Sequence, residues 1–308
     1  MIRRLTTATK ADWKALRHKY IGGSDAAAVV GMNPYRSQYA LWCEKTDKVP
    51  GFEGNLATEV GTFLEEFVAQ KFAAVTGKMV RKANQSFVND EYPFAIANVD
   101  RLVVGEDAGL EIKTTSEMNL KKFKNGEYPE LYYAQCVHYM AVTGKKKWYL
   151  AVLIGNREFK YFEIERDEAE IEALMKAEKD FFRYIETNTP PPVDGSDSTG
   201  KTLSQLYPES TDSRIDLFGM DAALQQWELL NKSIKELEEQ RDSIVNNIKL
   251  QMGDSSKATA GKYNISWTSG SRNSFDAKKF AADHPTMDLS QYYKSSSYRT
   301  FKITEKRK

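Results

Sequence analysis

The stretch that most constrains this chain runs from Ala95 to Ser116, AIANVDRLVVGEDAGLEIKTTS. It reads as two short strands joined by a glycine-bounded turn, with Asp100 on the first and Glu111 and Lys113 on the second. Strand side chains alternate faces, so Glu111 and Lys113 point one way while Leu110 and Ile112 point to the opposite, packed face. A carboxylate beside a carboxylate and an ammonium makes a compact site for a hard divalent cation and a water. Mg2+ takes oxygen ligands and keeps several waters, and a neighbouring lysine can orient a water or neutralise developing charge. A solvated, salt-bridged hairpin would carry the same residues. The remaining segments have to distinguish the two.

Length and charge narrow the setting. The 308 residues allow one large domain or two ordinary ones. A net charge of +1 gives no global basic field, so any nucleic-acid surface must be local. Two cysteines, Cys43 and Cys136, form no CxxC pair, which argues against zinc ribbons and iron–sulfur clusters and fits a reducing cytosol. No apolar run approaches the roughly 20 residues of a membrane span, and the N-terminus lacks a signal-peptide apolar core. The expectation is a soluble, cytoplasmic protein with no membrane partner.

Residues 9 to 20 read as a short helix capped by Thr9, with Trp13 and Leu16 inward and Arg17 at its end. Gly22 and Gly23 allow a tight turn, and Ser24 is placed to cap an alanine-rich helix starting at Asp25. A helix N-terminus with a hydroxyl and a nearby arginine is an anion pocket, although an ordinary capped helix has the same sequence. From Glu59 to Thr76, Val60, Phe63, Leu64, Phe67, Val68, Phe72 and Val75 form one helical stripe. Glu65 lies at its border and Glu66 nearly opposite, in solvent. Tyr128 to Thr143 reads as a helix starting near Pro129, with Gln135 and Tyr139 sharing a face and His138 structural. Lys145, Lys146 and Lys147 then introduce a strand pair, either as a solvated entrance or as a backbone-phosphate contact. A helix capped by Asp167 follows. The order predicts an α/β sandwich with a mixed sheet.

These segments carry a resemblance. Asp100-(x)10-Glu111-x-Lys113 is the pattern of the PD-(D/E)xK nucleases. Arg17 and Ser24, seven residues apart, with SDAAAVVGMNPY following, resemble the opening of the YqaJ family of phage recombination nucleases, relatives of phage lambda exonuclease. The likeness covers about residues 10 to 185. It implies an α/β PD-(D/E)xK nuclease core with a mixed β-sheet flanked by helices. It implies that Arg17 and Ser24 grip the 5′ phosphate of a DNA end, with Arg36 a further backbone contact. Gly61-x-x-Leu64-Glu65 matches the family's functional glutamate. Gln135-x-x-x-Tyr139 matches a motif whose glutamine lies beside the metal and whose tyrosine lies toward DNA. Asp100, Glu111, the Ile112 carbonyl and Glu65 would hold Mg2+, with Mn2+ able to substitute, and Lys113 with Gln135 would orient the attacking water. One departure stands out: the family commonly has Asp-Gly where this chain has Asp100-Arg101. Arg101 is expected on the face opposite Asp100.

The implied activity is 5′→3′ exonuclease action on double-stranded DNA ends in phage-type recombination, leaving 3′ single-stranded overhangs. The implied partners are DNA ends, a phage single-strand annealing protein and copies of the chain itself, with a trimeric ring favoured by analogy. The setting would be a bacterial host cytoplasm. A DNA endonuclease of the same fold and a catalytically silent DNA-end-binding protein are the alternatives.

Domain organisation follows composition. Residues 1–187 form the expected nuclease domain, 188–213 a linker rich in Pro, Gly and Ser, and 214–308 a helical and small basic α/β appendage. Trp227, Leu230, Ile234, Leu237, Ile244 and Ile248 follow a heptad pattern suited to a helical hairpin, a short coiled coil or packing on its own domain. Residues 254–308 hold eleven Lys/Arg against five Asp/Glu, interleaved with Tyr292, Tyr293, Tyr298 and Phe301. That composition suits either a DNA-facing module or a solubility surface.

Overall fold

Short runs bounded by Gly, Asn, Asp and Thr give nine strands among the described residues before residue 166. In chain order these are β1 (Ile2–Leu5), β2 (Ile21–Gly22), β3 (Val80–Lys82), β4 (Ser86–Asn89), β5 (Ala95–Asn98), β6 (Arg101–Val103), β7 (Ala108–Thr115), β8 (Lys147–Ile154) and β9 (Glu158–Glu165). The computed structural model describes residues 1–6, 16, 18–295 and 298–304. Thr9, Trp13 and Arg17 lie outside the described residues. Two units divide the chain, Met1–Pro208 and Glu209–Lys308.

The first unit holds two mixed sheets. One has the order β3-β6-β7-β8-β9, antiparallel throughout except for the parallel pair β7–β8. The other has the order β1-β4-β5-β2, with β2 and β5 parallel. Six α-helices whose bounds lie among the described residues and a 3-10 helix (Glu117–Phe123) accompany them: α1 (Gly23–Val29), α2 (Gln38–Lys45), α3 (Leu56–Thr76), α4 (Glu130–Thr143), α5 (Glu168–Glu186) and α6 (Asp197–Leu206). This is the mixed α/β architecture that the element order predicts.

Strand alternation sorts the larger sheet's side chains into two cores. Leu110 and Ile112 of β7 pack with Tyr149 and Ala151 of β8 against Val68, Ala69 and Phe72 of α3. Trp148, Leu150 and Val152 of β8 face the other way, with Cys136, Val137 and Met140 of α4. Helix α4 is buried along Ala134–Thr143, so it runs through the core rather than over it. Within it, His138 Nδ1 lies 2.8 Å from Glu178 Oε1 of α5 and Nε2 lies 3.0 Å from the Ile96 carbonyl, with both side chains fully enclosed. His138 is therefore structural, as its position off any motif suggests. Asp167 caps α5 by accepting from the N–H groups of Ala169 and Glu170.

Three sequence expectations change. On α3, the buried apolar residues all lie in the second half of the helix. Val68 and Phe72 are buried, but Leu56, Val60, Phe63 and Phe67 form an exposed stripe, with Phe63 84% exposed. The segment read as a linker contains α6, capped by Ser196 and tied to α2's start by Thr199 Oγ1 donating to Ser37 Oγ at 2.8 Å. Its Thr199 and Thr202 are buried, so small hydroxylated residues, which composition marks as flexible, here pack against α2. Of the three lysines at the entrance to β8, Lys145 pairs with Asp107 and Lys147, the strand's first residue, with Glu163 and Glu165, while Lys146 is exposed.

In the second unit, α7 (Asp221–Met252) is one uninterrupted helix, followed by the antiparallel hairpin β10 (Lys257–Ala260)–β11 (Tyr263–Ser266) and α8 (Ala277–Asp283). The heptad residues Trp227, Leu230, Ile234, Leu237 and Ile244 are all exposed. Tyr292, Tyr293, Tyr298 and Phe301 are exposed as well. Among the described residues no helix is long and apolar enough to cross a membrane, and both cysteines are buried and free.

Candidate active site

The β6–β7 register pairs Arg101 with Leu110, and one further step sets Asp100 beside Glu111. Asp100 has left the strand, and its Oδ2 accepts the N–H of Ile112 at 2.8 Å, replacing the backbone partner that a longer β6 would supply. That bond fixes the carboxylate at the edge of β7. Glu111 is 2% exposed. Its Oε1 accepts from Lys113 Nζ at 2.6 Å and from Gln135 Nε2 of α4 at 2.8 Å. Asp100, Glu111, Lys113, the Ile112 backbone and Gln135 line one cleft of about 480 Å3, together with Ser24, Asn98, Glu65 and Tyr139.

The electrostatics of the cleft are those of two carboxylates sharing one ammonium. Burial raises the Asp100 carboxyl well above its ordinary range, and the neighbouring Glu111 adds to it. Lys113 and the Ile112 N–H work the other way. Burial alone would lower the Lys113 ammonium, but Glu111 and Asp100 override it and hold the charge on firmly.

Ser24 is not the cap of α1. The helix begins at Gly23, and Asp25 reaches back to accept the Gly22 N–H at 3.0 Å. Because a carboxylate performs the capping, the Ser24 hydroxyl is left exposed on the cleft wall. Tyr139 is 4% exposed, so it does not reach outward toward a duplex. Its hydroxyl accepts from Gln135 Nε2 at 2.8 Å, and the ring lies so close to α1 that a Cβ on Gly23 would sit 2.5 Å from it. Gly23 thus seats the tyrosine that holds Gln135 on Glu111. The Gly22-Gly23 pair carries that signal in the sequence, where it suggests only a tight turn.

Arg36 lies outside the cleft lining. Its guanidinium pairs with Asp25 at 2.5 Å and Glu44 at 3.1 Å and donates to the Ser24 carbonyl at 3.1 Å. Lys45 completes the cluster at 2.6 Å from Asp25. Burial works to raise the Asp25 carboxyl, but Lys45, Arg36 and the Gly22 N–H pull it well below the usual carboxylate range. Arg36 holds α1 in place, a use that an arginine two residues after a proline does not advertise.

Glu65 does reach the cleft wall, but its carboxylate is gripped by Arg101. Arg101 shares the Leu110 face of the sheet, the face that packs on α3, and there it meets Glu65 and, at 3.1 Å, Glu66. Glu66 is exposed, as the helical wheel predicts, yet it has this partner.

The chemistry of the donor set bears on whether a divalent cation fits. Among the described residues no three His, Cys, Asp or Glu side chains converge into a closed cage. Glu111 Oε2, however, is buried with no hydrogen-bond partner. A buried carboxylate oxygen with nothing to bind costs free energy, and a second carboxylate, Asp100, stands beside it. Two neighbouring carboxylates that line one cleft, one of them with an orphaned oxygen, fit an oxygen-liganded ion that retains waters.

Comparison with known proteins follows the same line. The family profile described as YqaJ-like viral recombinase domain matches residues 12–146. Protein YqaJ of Bacillus subtilis is 37% identical over 303 residues, covering 96% of this chain and 95% of its own length. The crystal structure of an alkaline exonuclease (LHK-Exo) from Laribacter hongkongensis superposes with a TM-score of 0.50 at 22% identity, covering 58% of this chain and 94% of that one. That likeness is one of fold.

Proposed function

The chain belongs to the YqaJ-like viral recombinase family, and on that premise we propose that it is a Mg2+-dependent exonuclease acting 5′→3′ on double-stranded DNA ends to leave 3′ overhangs. The observation that carries the reading is the convergence of Asp100, Glu111, Lys113 and Gln135 in one cleft, with Glu111 Oε2 left without a partner.

Asp100, Glu111 and the Ile112 carbonyl are the residues that would hold the ion, Mg2+ or Mn2+. When bound, it supplies Lewis-acid stabilisation of the charge developing on the phosphate. Lys113, 2.6 Å from Glu111, would orient the attacking water and offset negative charge. Gln135 fixes Glu111 through Nε2 and is itself steadied by the Tyr139 hydroxyl. Ser24 offers its hydroxyl on the same wall and, with Arg17, would bind the terminal 5′ phosphate. Arg36 supports that wall through the Ser24 carbonyl instead of touching DNA.

The exposed stripe of Leu56, Val60, Phe63 and Phe67 on α3 supports assembly of several copies, a trimeric ring in the family's manner. A phage single-strand annealing protein as partner, and the bacterial cytoplasm as location, complete the reading.

Incubating linear and covalently closed DNA with Mg2+ tests it. Linear duplex should be degraded and the closed form spared; cutting of closed circles would instead make the protein an endonuclease. Asp100→Asn, Glu111→Gln and Lys113→Ala should each lower cleavage by about 10²-fold or more while DNA binding persists. Arg17→Ala should erase the preference for a 5′-phosphorylated end.

A further inference from the structure

Arg101 is the least expected charge in the site. The residue is 3% exposed, and a guanidinium stays protonated throughout the working pH range. It donates to the Asp100 carbonyl at 2.7 Å and to Glu66 at 3.1 Å, and it grips Glu65. Glu65 lines the cleft that contains Asp100 and Glu111. Its carboxylate is thereby taken by a positive charge that belongs to the protein.

We propose that Arg101 is a built-in second cation, which occupies Glu65 and Glu66 so that the cleft takes a single divalent ion, on Asp100 and Glu111. The inference rests on the metal-dependent reading above and goes beyond it, because that reading does not say how many ions the cleft takes.

Geometry supports one ion. Arg101 is anchored in the backbone by its β6 pairing with Leu110, one residue from Asp100, so its side chain starts beside the cleft. Its bonds to Glu66 and to the Asp100 carbonyl further limit rotation away from Glu65. Arg101 is thus a positioning residue: it acts on the ion through the carboxylates that it occupies.

Titration of the full-length chain with Mn2+, followed by calorimetry and by the electron paramagnetic resonance of free Mn2+, tests the proposal. Wild type should bind one Mn2+ per chain. Arg101→Met, which keeps most of the volume and removes the charge, should bind two. Adding Glu65→Gln to Arg101→Met should return the number to one. Glu65→Gln alone should leave the wild-type Mn2+ affinity within about two-fold, and this variant decides the matter if Arg101→Met does not fold. A wild type that binds two ions, a folded Arg101→Met that still binds one, or an affinity about ten-fold weaker or more for Glu65→Gln would overturn the proposal and leave the nuclease reading standing. A wild type that binds no Mn2+ would overturn both.

Discussion

At the scale of single residues, the chain uses its charges in ways that chemistry permits but spacing does not announce. Arg36 is the clearest case. The family resemblance implies a DNA-backbone contact for it, yet it closes a buried cluster with Asp25, Glu44 and Lys45 that fixes the capping carboxylate of α1. Breaking a largely buried pair by removing one partner costs about 3–5 kcal/mol. Arg36→Ala should therefore lower the melting temperature markedly while leaving the salt dependence of DNA binding unchanged, because only removal of a cation that neutralises a phosphate flattens that slope. A stable variant with a flattened slope would restore Arg36 to the DNA surface. Gly23 shows the reverse case, an inconspicuous residue with a decisive position, because only a missing Cβ lets the Tyr139 ring lie where its hydroxyl meets Gln135.

At the scale of elements, the packing of α4 on α5 carries a pH dependence. His138 has acceptors on both ring nitrogens, Glu178 Oε1 and the Ile96 carbonyl, so the arrangement is best satisfied when both nitrogens carry protons. Burial opposes that charge, but Glu178, the Ile96 carbonyl and the more distant Asp25 raise the ring above its ordinary value of 6.5. Burial likewise raises the Glu178 carboxyl, in spite of His138. Both groups hold a proton more tightly folded than unfolded, so both shifts make stability fall as pH climbs. The His138 contribution is complete below 6.5 and disappears as pH rises through the raised folded value. Thermal melts of wild type and His138→Asn should differ most below that pH and converge on the alkaline side. A difference that stays constant with pH would remove the charged form from the account.

At the scale of the whole molecule, the boundary between units follows packing rather than composition. Met1–Pro208 contains both apolar cores and the cleft of the candidate site. A chain of residues 1–208 should fold alone and retain whatever cleavage of linear duplex the full chain shows. A chain of residues 1–187 lacks α6, with its buried Thr199 and Thr202 and the bonds of Ser198 and Thr199 to Ser37. At about 1 kcal/mol per net hydrogen bond, it should melt about 4 °C lower or more. Equal melting temperatures would show that α6 contributes nothing to the unit.

The sequence determined the local features that depend on period and spacing. Alternation set Glu111 and Lys113 on one face of β7 and Leu110 and Ile112 on the other; helical spacing brought Gln135 and Tyr139 together; Asp167 announced a helix start. These are nearest-neighbour properties of the backbone, and they made the nuclease-type site legible before any fold was known. What the tertiary structure alone decided is how each charge is used and how far each apolar stripe is covered. Arg36 paired with Asp25 and Glu44 and Arg101 with Glu65, Tyr139 went into the core, and the apolar stripe on the first half of α3 stayed uncovered because the helix's buried residues lie in its second half. Long, flexible side chains and broad apolar faces accept many partners, and only the packing of distant segments chooses among them.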